Sequence, residues 1–188
     1  MKRGPESIIP AERNYAKMPG PVFLKGDHVT LRAIEEEDLE FLQEAITDPQ
    51  VRRSIGGSTP YNLEQEREFF ENVISDNETV QLLISNEETP IRMIGLEPIN
   101  QEAGVTEVGY WIVPEYWGEG FGTEATELIV EYAFDRLRLH KVTARAFGFN
   151  DASQRLLEKV GFTEEGVQRE QIFIDGEYQD THWYGLID

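Results

Sequence analysis

Apolar residues at Ala125, Leu128, Ile129, Tyr132, Ala133 and Phe134 share one face of a helix, and their spacing predicts a helix over residues 122–138. Leu156, Leu157 and Val160 give the same kind of face over 151–159, where Asn150 or Asp151 can cap the first N–H groups and Gly161 can end the helix in a left-handed conformation. The stretch from Thr106 to Val113, TEVGYWIV, is instead β-branched and aromatic, and predicts a strand. Read this way from end to end, the chain predicts strand 22–33, helices 36–47 and 62–74, and strands 79–85, 90–100 and 106–113. Helix 122–138, strand 141–147, helix 151–159 and two closing strands, 162–174 and 178–187, complete the order. Asp175-Gly176 between the last two is a hairpin signal. The expected architecture is α/β, of mixed α+β character: a twisted mixed sheet with helices on both faces. No internal repeat is visible.

The junction between strand 106–113 and helix 122–138 is the most informative stretch. It reads Glu115-Tyr116-Trp117-Gly118-Glu119-Gly120-Phe121-Gly122-Thr123-Glu124-Ala125, with glycines at alternate positions. Gly118, Gly120 and Gly122 let the backbone turn sharply and approach a ligand, so that the N–H groups opening the helix can point at an anion. A P-loop would need Lys after the last glycine, and here Thr123-Glu124 follows Gly122. A dinucleotide fold would place such a loop after the first strand of its βαβ unit, whereas this one lies past the chain's midpoint. An acyl carrier bearing a pyrophosphate fits it best.

On these residues and others the chain resembles the GNAT superfamily of N-acetyltransferases, in the branch of the RimJ and RimL ribosomal-protein acetyltransferases. The resemblance is carried by LRAIEEEDLEFL (31–42), DPQVRRSIG (48–56), TEVGYWIVPEYWGEGFGTEA (106–125), NDASQRLLEKVGF (150–162) and DGEYQDTHWYGLI (175–187), in the family's order. It implies a GNAT-like acyl-CoA N-acyltransferase fold with acetyl-coenzyme A as cosubstrate and no metal. Trp117, Gly118, Gly120, Phe121, Gly122 and Thr123 would hold the pyrophosphate, and Ile112 and Val113 would pair through their backbone with the pantetheine arm. An N–H of the fourth predicted strand would polarise the thioester carbonyl, Asn150 would hydrogen-bond the pantetheine, and Ser153 would lie near the sulfur. The chain departs from the wider superfamily at Trp117, where Gln or Arg is usual, and at Leu157, where many relatives carry a Tyr that protonates the departing thiolate. Ser153 is then left with that task.

At 188 residues, 39% of them apolar, the chain is long enough for one domain with a real core. We expect a flexible arm over 1–21, rich in Pro and Gly, and a single domain over 22–188. The arm's two early positive charges are followed by no apolar block, so it is not a secretory signal, and no apolar run is long enough to span a membrane. The absence of cysteine removes disulfides, thiolate metal sites and a Cys nucleophile, and fits a cytoplasmic protein. His28, His140 and His182 lack metal-ligand spacing.

Charge changes the picture further. With 36 acidic residues against 17 basic, the formal net charge is −19. The excess is spread along the chain, so the fold should repel itself at low salt and gain from screening, as in a protein from a high-salt cytoplasm. It disfavours nucleic acid and anionic membranes as partners and favours cationic amines.

For the acceptor, deprotonating an α-amine of pKa about 8 at pH 7 costs about 1.4 kcal/mol, and a lysine near 10.4 about 4.6 kcal/mol. A protein N-terminal amine therefore needs least help and is the expected acceptor, by direct transfer in a ternary complex. The alternatives are a polyamine, amino sugar or aminoglycoside, or a non-catalytic acyl-CoA sensor. Glu107, on one strand face with Gly109 and Trp111, is the candidate general base. Glu97 stands second, and Glu119 and Glu124 suit the electrostatics of a helix N-terminus. The aromatic stripe of Tyr110, Trp111 and Trp117 is assigned to the core, with a monomer or weak homodimer expected.

Overall fold

The computed structural model describes residues 20–87 and 89–188. Eight strands form one sheet: β1 (Val22–Lys25), β2 (Thr30–Ala33), β3 (Val80–Asn86), β4 (Thr89–Leu96), β5 (Val105–Ile112), β6 (Lys141–Phe147), β7 (Thr163–Ile174) and β8 (Glu177–Ile187). Their order across the sheet is β1-β2-β3-β4-β5-β6-β8-β7. Every neighbouring pair is antiparallel except β5 and β6. That one parallel step arises because the chain leaves β5 through a helix, α4 (Phe121–Asp135), and must return alongside.

Strand alternation divides the core in two. Leu82, Ile84, Ile94, Leu96 and Val108 face α4 and α5 (Asp151–Val160), where Ala125, Ile129, Ala133 and Leu157 are fully buried. Leu83, Met93, Trp111 and Val113 face the other way, onto α1 (Leu39–Thr47), α2 (Pro49–Ser54) and α3 (Leu63–Phe69). Each fully buried Leu or Ile contributes roughly 1.5–3 kcal/mol, so helices on both faces follow from which side of each strand is apolar. No helix among the described residues is long and apolar enough to cross a membrane.

Most elements stand within a few residues of expectation, and three depart from it. The predicted strand 22–33 is two strands joined by a turn in which the Gly26 N–H bonds the Val29 carbonyl. The short helix α2 was not foreseen; the buried Asp48 carboxylate caps it by accepting from the N–H groups of Gln50 and Val51, with Pro49 in its first turn. Helix 62–74 is α-helical only to Phe69 and continues as a π turn, Phe70–Ile74. The Asp175-Gly176 hairpin is as expected, with φ of 53° and 89°, the two positive values a type I′ turn requires. The expected arm lies outside the described residues up to position 19. Gly20 and Pro21 already belong to the fold, since their carbonyls accept from Arg32 and Ala33.

Candidate active site

The parallel ladder between β5 and β6 is short. It pairs Val105–Val108 with Lys141–Ala144 and stops, while β5 runs on to Ile112 and β6 to Phe147. Beyond Val108 the two strands diverge and leave an opening in the sheet. In β5, Glu107 and Val113 bond to β4, so by alternation the N–H and C=O of Tyr110 and Ile112 point into the opening. An extended, polar chain such as a pantetheine arm can pair there. The Ile112 carbonyl is already engaged, accepting from Trp117 Nε1 at 3.0 Å. Val113 is engaged on both sides: its N–H bonds Ile91 and its carbonyl accepts from Tyr116. Of the two residues expected to pair with the pantetheine, Ile112 therefore keeps its N–H directed into the opening, while Val113 is turned to β4 and Tyr116.

At the wide end of the opening the glycine loop enters α4. Gly118 and Gly120 have φ of 86° and 87°, and a Cβ on either would meet nothing within 4 Å. The N–H groups of Gly118, Glu119, Gly120, Phe121 and Gly122 find no acceptor among the described residues, whereas Thr123 and Glu124 bond the Gly120 carbonyl. These five donors, leading into the N-terminus of a 15-residue helix, form a cradle that can receive an anion. Trp117 contributes by clipping the loop to the end of β5. Glu124 turns away, accepting from the His28 and Val29 N–H groups, and its carboxyl stays below its ordinary range because these hydrogen bonds outweigh its partial burial.

After β6, Asn150 caps α5, its side-chain oxygen accepting from the Ser153 N–H at 3.2 Å. Ser153 Oγ meets the Tyr110 hydroxyl at 2.9 Å. This hydrogen bond joins β5 to α5, while the Tyr110 ring packs, partly buried, against the core.

The other sheet face carries the charged groups. Glu107 accepts from Arg145 Nε at 2.6 Å, and the Arg145 guanidinium lies 5.1 Å from the Trp183 ring centre. Glu97 accepts from the Gln81 amide at 2.7 Å. Loss of solvent raises the Glu97 carboxyl above its ordinary range, with Glu107 adding to the rise, against the Gln81 hydrogen bond and the Arg145 charge. Gly95 and Gly109 are partners in the β4–β5 register. The Gln81 side chain fills the space a Cβ would take at Gly95, while a Cβ at Gly109 would meet nothing within 4 Å. A bare patch of strand thus lies beside two carboxylates at the edge of the opening, with room for an amine. Arg145, Gln81 and Trp183 were not anticipated. Arg145 could have been, as the cation two residues past the register partner of Glu107 on the same face.

The acetyltransferase (GNAT) domain family matches residues 28–163. The uncharacterised N-acetyltransferase YoaA of Bacillus subtilis is 31% identical over 87% of this chain and 96% of its own length. The putative ribosomal N-acetyltransferase YdaF of the same organism is 29% identical over 86% and 92%. A spermidine N-acetyltransferase from Vibrio cholerae, solved in complex with CoA and spermine, superposes with a TM-score of 0.80 at 28% identity, covering 85% of this chain and 95% of that one.

Proposed function

The chain belongs to the GNAT acetyltransferase family and is an acetyl-CoA-dependent N-acyltransferase, and from that premise we propose that its acceptor is a small polycationic amine of the spermidine class. The observation that carries this reading is the likeness, over nearly the whole described fold, to an enzyme solved with spermine. The −19 charge and the Glu107–Glu97 pair beside Gly109 support it. The protein N-terminal amine expected from the RimJ/RimL resemblance keeps weaker support, in the 29% identical putative ribosomal relative.

Acetyl-CoA supplies an activated acetyl group as a thioester. The donors from Gly118 to Gly122 hold its pyrophosphate, and Tyr110 and the Ile112 N–H align the pantetheine by strand-like pairing. The Asn150 amide group, whose oxygen is spent on the cap, adds an N–H donor to the same arm. A β5 N–H facing the opening polarises the thioester carbonyl and stabilises the oxyanion. On the opposite face Glu107, with Oε1 committed to Arg145, turns Oε2 to the ammonium, and Glu97 neutralises its remaining charge. Glu107 takes the amine proton directly or through one water. Positioning supplies most of the acceleration.

The test is thiol release from acetyl-CoA with spermidine, an N-terminal peptide, a lysine peptide and an aminoglycoside as acceptors. Spermidine should give a kcat/KM at least tenfold above either peptide. The N-terminal peptide in first place would return the protein N-terminal reading.

A further inference from the structure

When the acetyl group moves, the carbon–sulfur bond breaks with its electron pair on sulfur, and the thiolate needs a proton. Among the described residues, the strand and helix bordering the opening bring together two hydroxyls, Ser153 Oγ and Tyr110 Oη, 2.9 Å apart. One turn along α5 from Ser153 stands Leu157, fully buried in the core, which offers only hydrocarbon. Tyr184 is a third hydroxyl of that region, but it is sealed at 1% exposure. Its pKa is raised by burial and then by Glu164, Glu158 and Tyr110, so it is a poor and inaccessible acid.

Acidity separates the two that remain. A thiol ionises near pH 8.5 and a tyrosine near 10, so proton transfer from phenol to thiolate is uphill by a factor of only about 30. A serine hydroxyl does not ionise in the range protein groups titrate, and alone it is too weak an acid. Ser153, however, is the hydroxyl carried by the first turn of α5, with its backbone N–H fixed by Asn150. Tyr110 stands at the other end of the hydrogen bond, on β5 two residues past the end of the β5–β6 ladder.

We propose that Tyr110 is the proton source for the leaving sulfur, acting through Ser153. As the carbon–sulfur bond breaks, the Ser153 hydroxyl proton passes to sulfur and the Tyr110 hydroxyl proton passes to Ser153 Oγ. The phenolate recovers a proton from solvent, to which the carboxylates have released the one taken from the amine. One N–H bond is exchanged for one S–H bond, and no oxidant, metal or further reactant is required. Tyr110 is in this sense a positioning and relay residue. The inference rests on acetyl transfer to an amine and does not depend on which amine is accepted.

The test compares Tyr110→Phe, Ser153→Ala, the double variant and a protein carrying 3-fluorotyrosine at position 110, all assayed with the best acceptor of the panel. Tyr110→Phe should lower kcat at least 30-fold while KM for acetyl-CoA stays within threefold, in keeping with the usual worth of a positioned acid. Because the two hydroxyls act as one unit, the double variant should be no more than threefold slower than the slower single one. The more acidic 3-fluorotyrosine should hold kcat within threefold of the native value. Retention of kcat by Tyr110→Phe, a loss confined to KM, or single losses that multiply in the double variant would each overturn the relay. A native chain that releases no thiol with any amine would instead overturn acetyl transfer itself, and that result precedes any variant.

Discussion

Glu66 is the residue at which this fold works against itself. It lies on the buried side of α3, three positions from Leu63 and Phe69, at 3% exposure. Its carboxyl takes no hydrogen bond from any described side chain, and burial pushes its pKa up from an ordinary 4.5 to about 7. A group whose pKa is higher in the folded than in the unfolded state binds protons preferentially on folding. The fold is therefore favoured at low pH, and the advantage is lost as pH rises from about 4.5 to about 7. At about 1.4 kcal/mol per pH unit the swing is on the order of 3 kcal/mol. Glu66→Gln should remove that slope and raise stability at pH 8 by about 2–3 kcal/mol, leaving stability near pH 4.5 almost unchanged. Urea unfolding of both proteins across pH 4.5–8 checks this, and parallel pH profiles would show that Glu66 is solvated in the folded state. Tyr61 shares the environment: burial, and then the charges of Glu66 and Glu68, push its hydroxyl to about 12.

Among the elements, the loop from Trp117 to Gly122 does the most with the least sequence, and Gly120 is its pivot. With φ at 87° and open space where a Cβ would go, alanine at this position strains the backbone by about 1–2 kcal/mol and puts a methyl group where an anion would sit. Gly120→Ala should cost stability in that range and weaken CoA binding at least tenfold by calorimetry, and unchanged CoA affinity would remove the loop from the phosphate site. As a strand-to-helix turn this element was legible in the sequence, because glycines at alternate positions stand between a β-branched run and a helical spacing. α4, α5 and β5 were legible for the same reason, since each is long enough for its period to show. Helix α2 was not, because six residues carry too little periodicity; its only signal was the Asp48-Pro49 start. The pairings that make the site chemical were also hidden. Tyr110 meets Ser153 across 43 residues and Glu107 meets Arg145 across 38; the first depends on where the β5–β6 ladder stops and the second on its register, neither of which a local pattern encodes. Glu107 was visible as a carboxylate on the strand face it shares with Gly109, but not as half of an ion pair.

At the scale of the whole molecule, one charge distribution should produce two salt effects of opposite sign. Self-repulsion at a net −19 opposes folding at low salt and fades as the Debye length falls from about 10 Å at 0.1 M to 3 Å at 1 M. Ion pairs lost to screening pull the other way. Those of Arg53 with Asp175 and of Arg67 with Glu64 are largely exposed and are worth at most about 1 kcal/mol each, so the repulsion wins. At roughly 2–4 °C per kcal/mol for a domain of this size, relief of about 2 kcal/mol raises Tm by about 4–8 °C between 10 mM and 1 M KCl. The acidic field that costs stability also concentrates cations near the sheet opening, and the same screening weakens it. KM for spermidine should therefore rise at least tenfold over that salt range, while KM for a monoamine rises no more than about threefold. The two readouts separate the charge argument from a general salting-out effect, which would raise Tm and leave the ratio of the two KM values fixed. A Tm that is flat or falls with KCl would mean that the acidic groups are already far enough apart, or hydrated enough, not to strain the fold, and the expectation of a protein suited to a high-salt cytoplasm would fall with it.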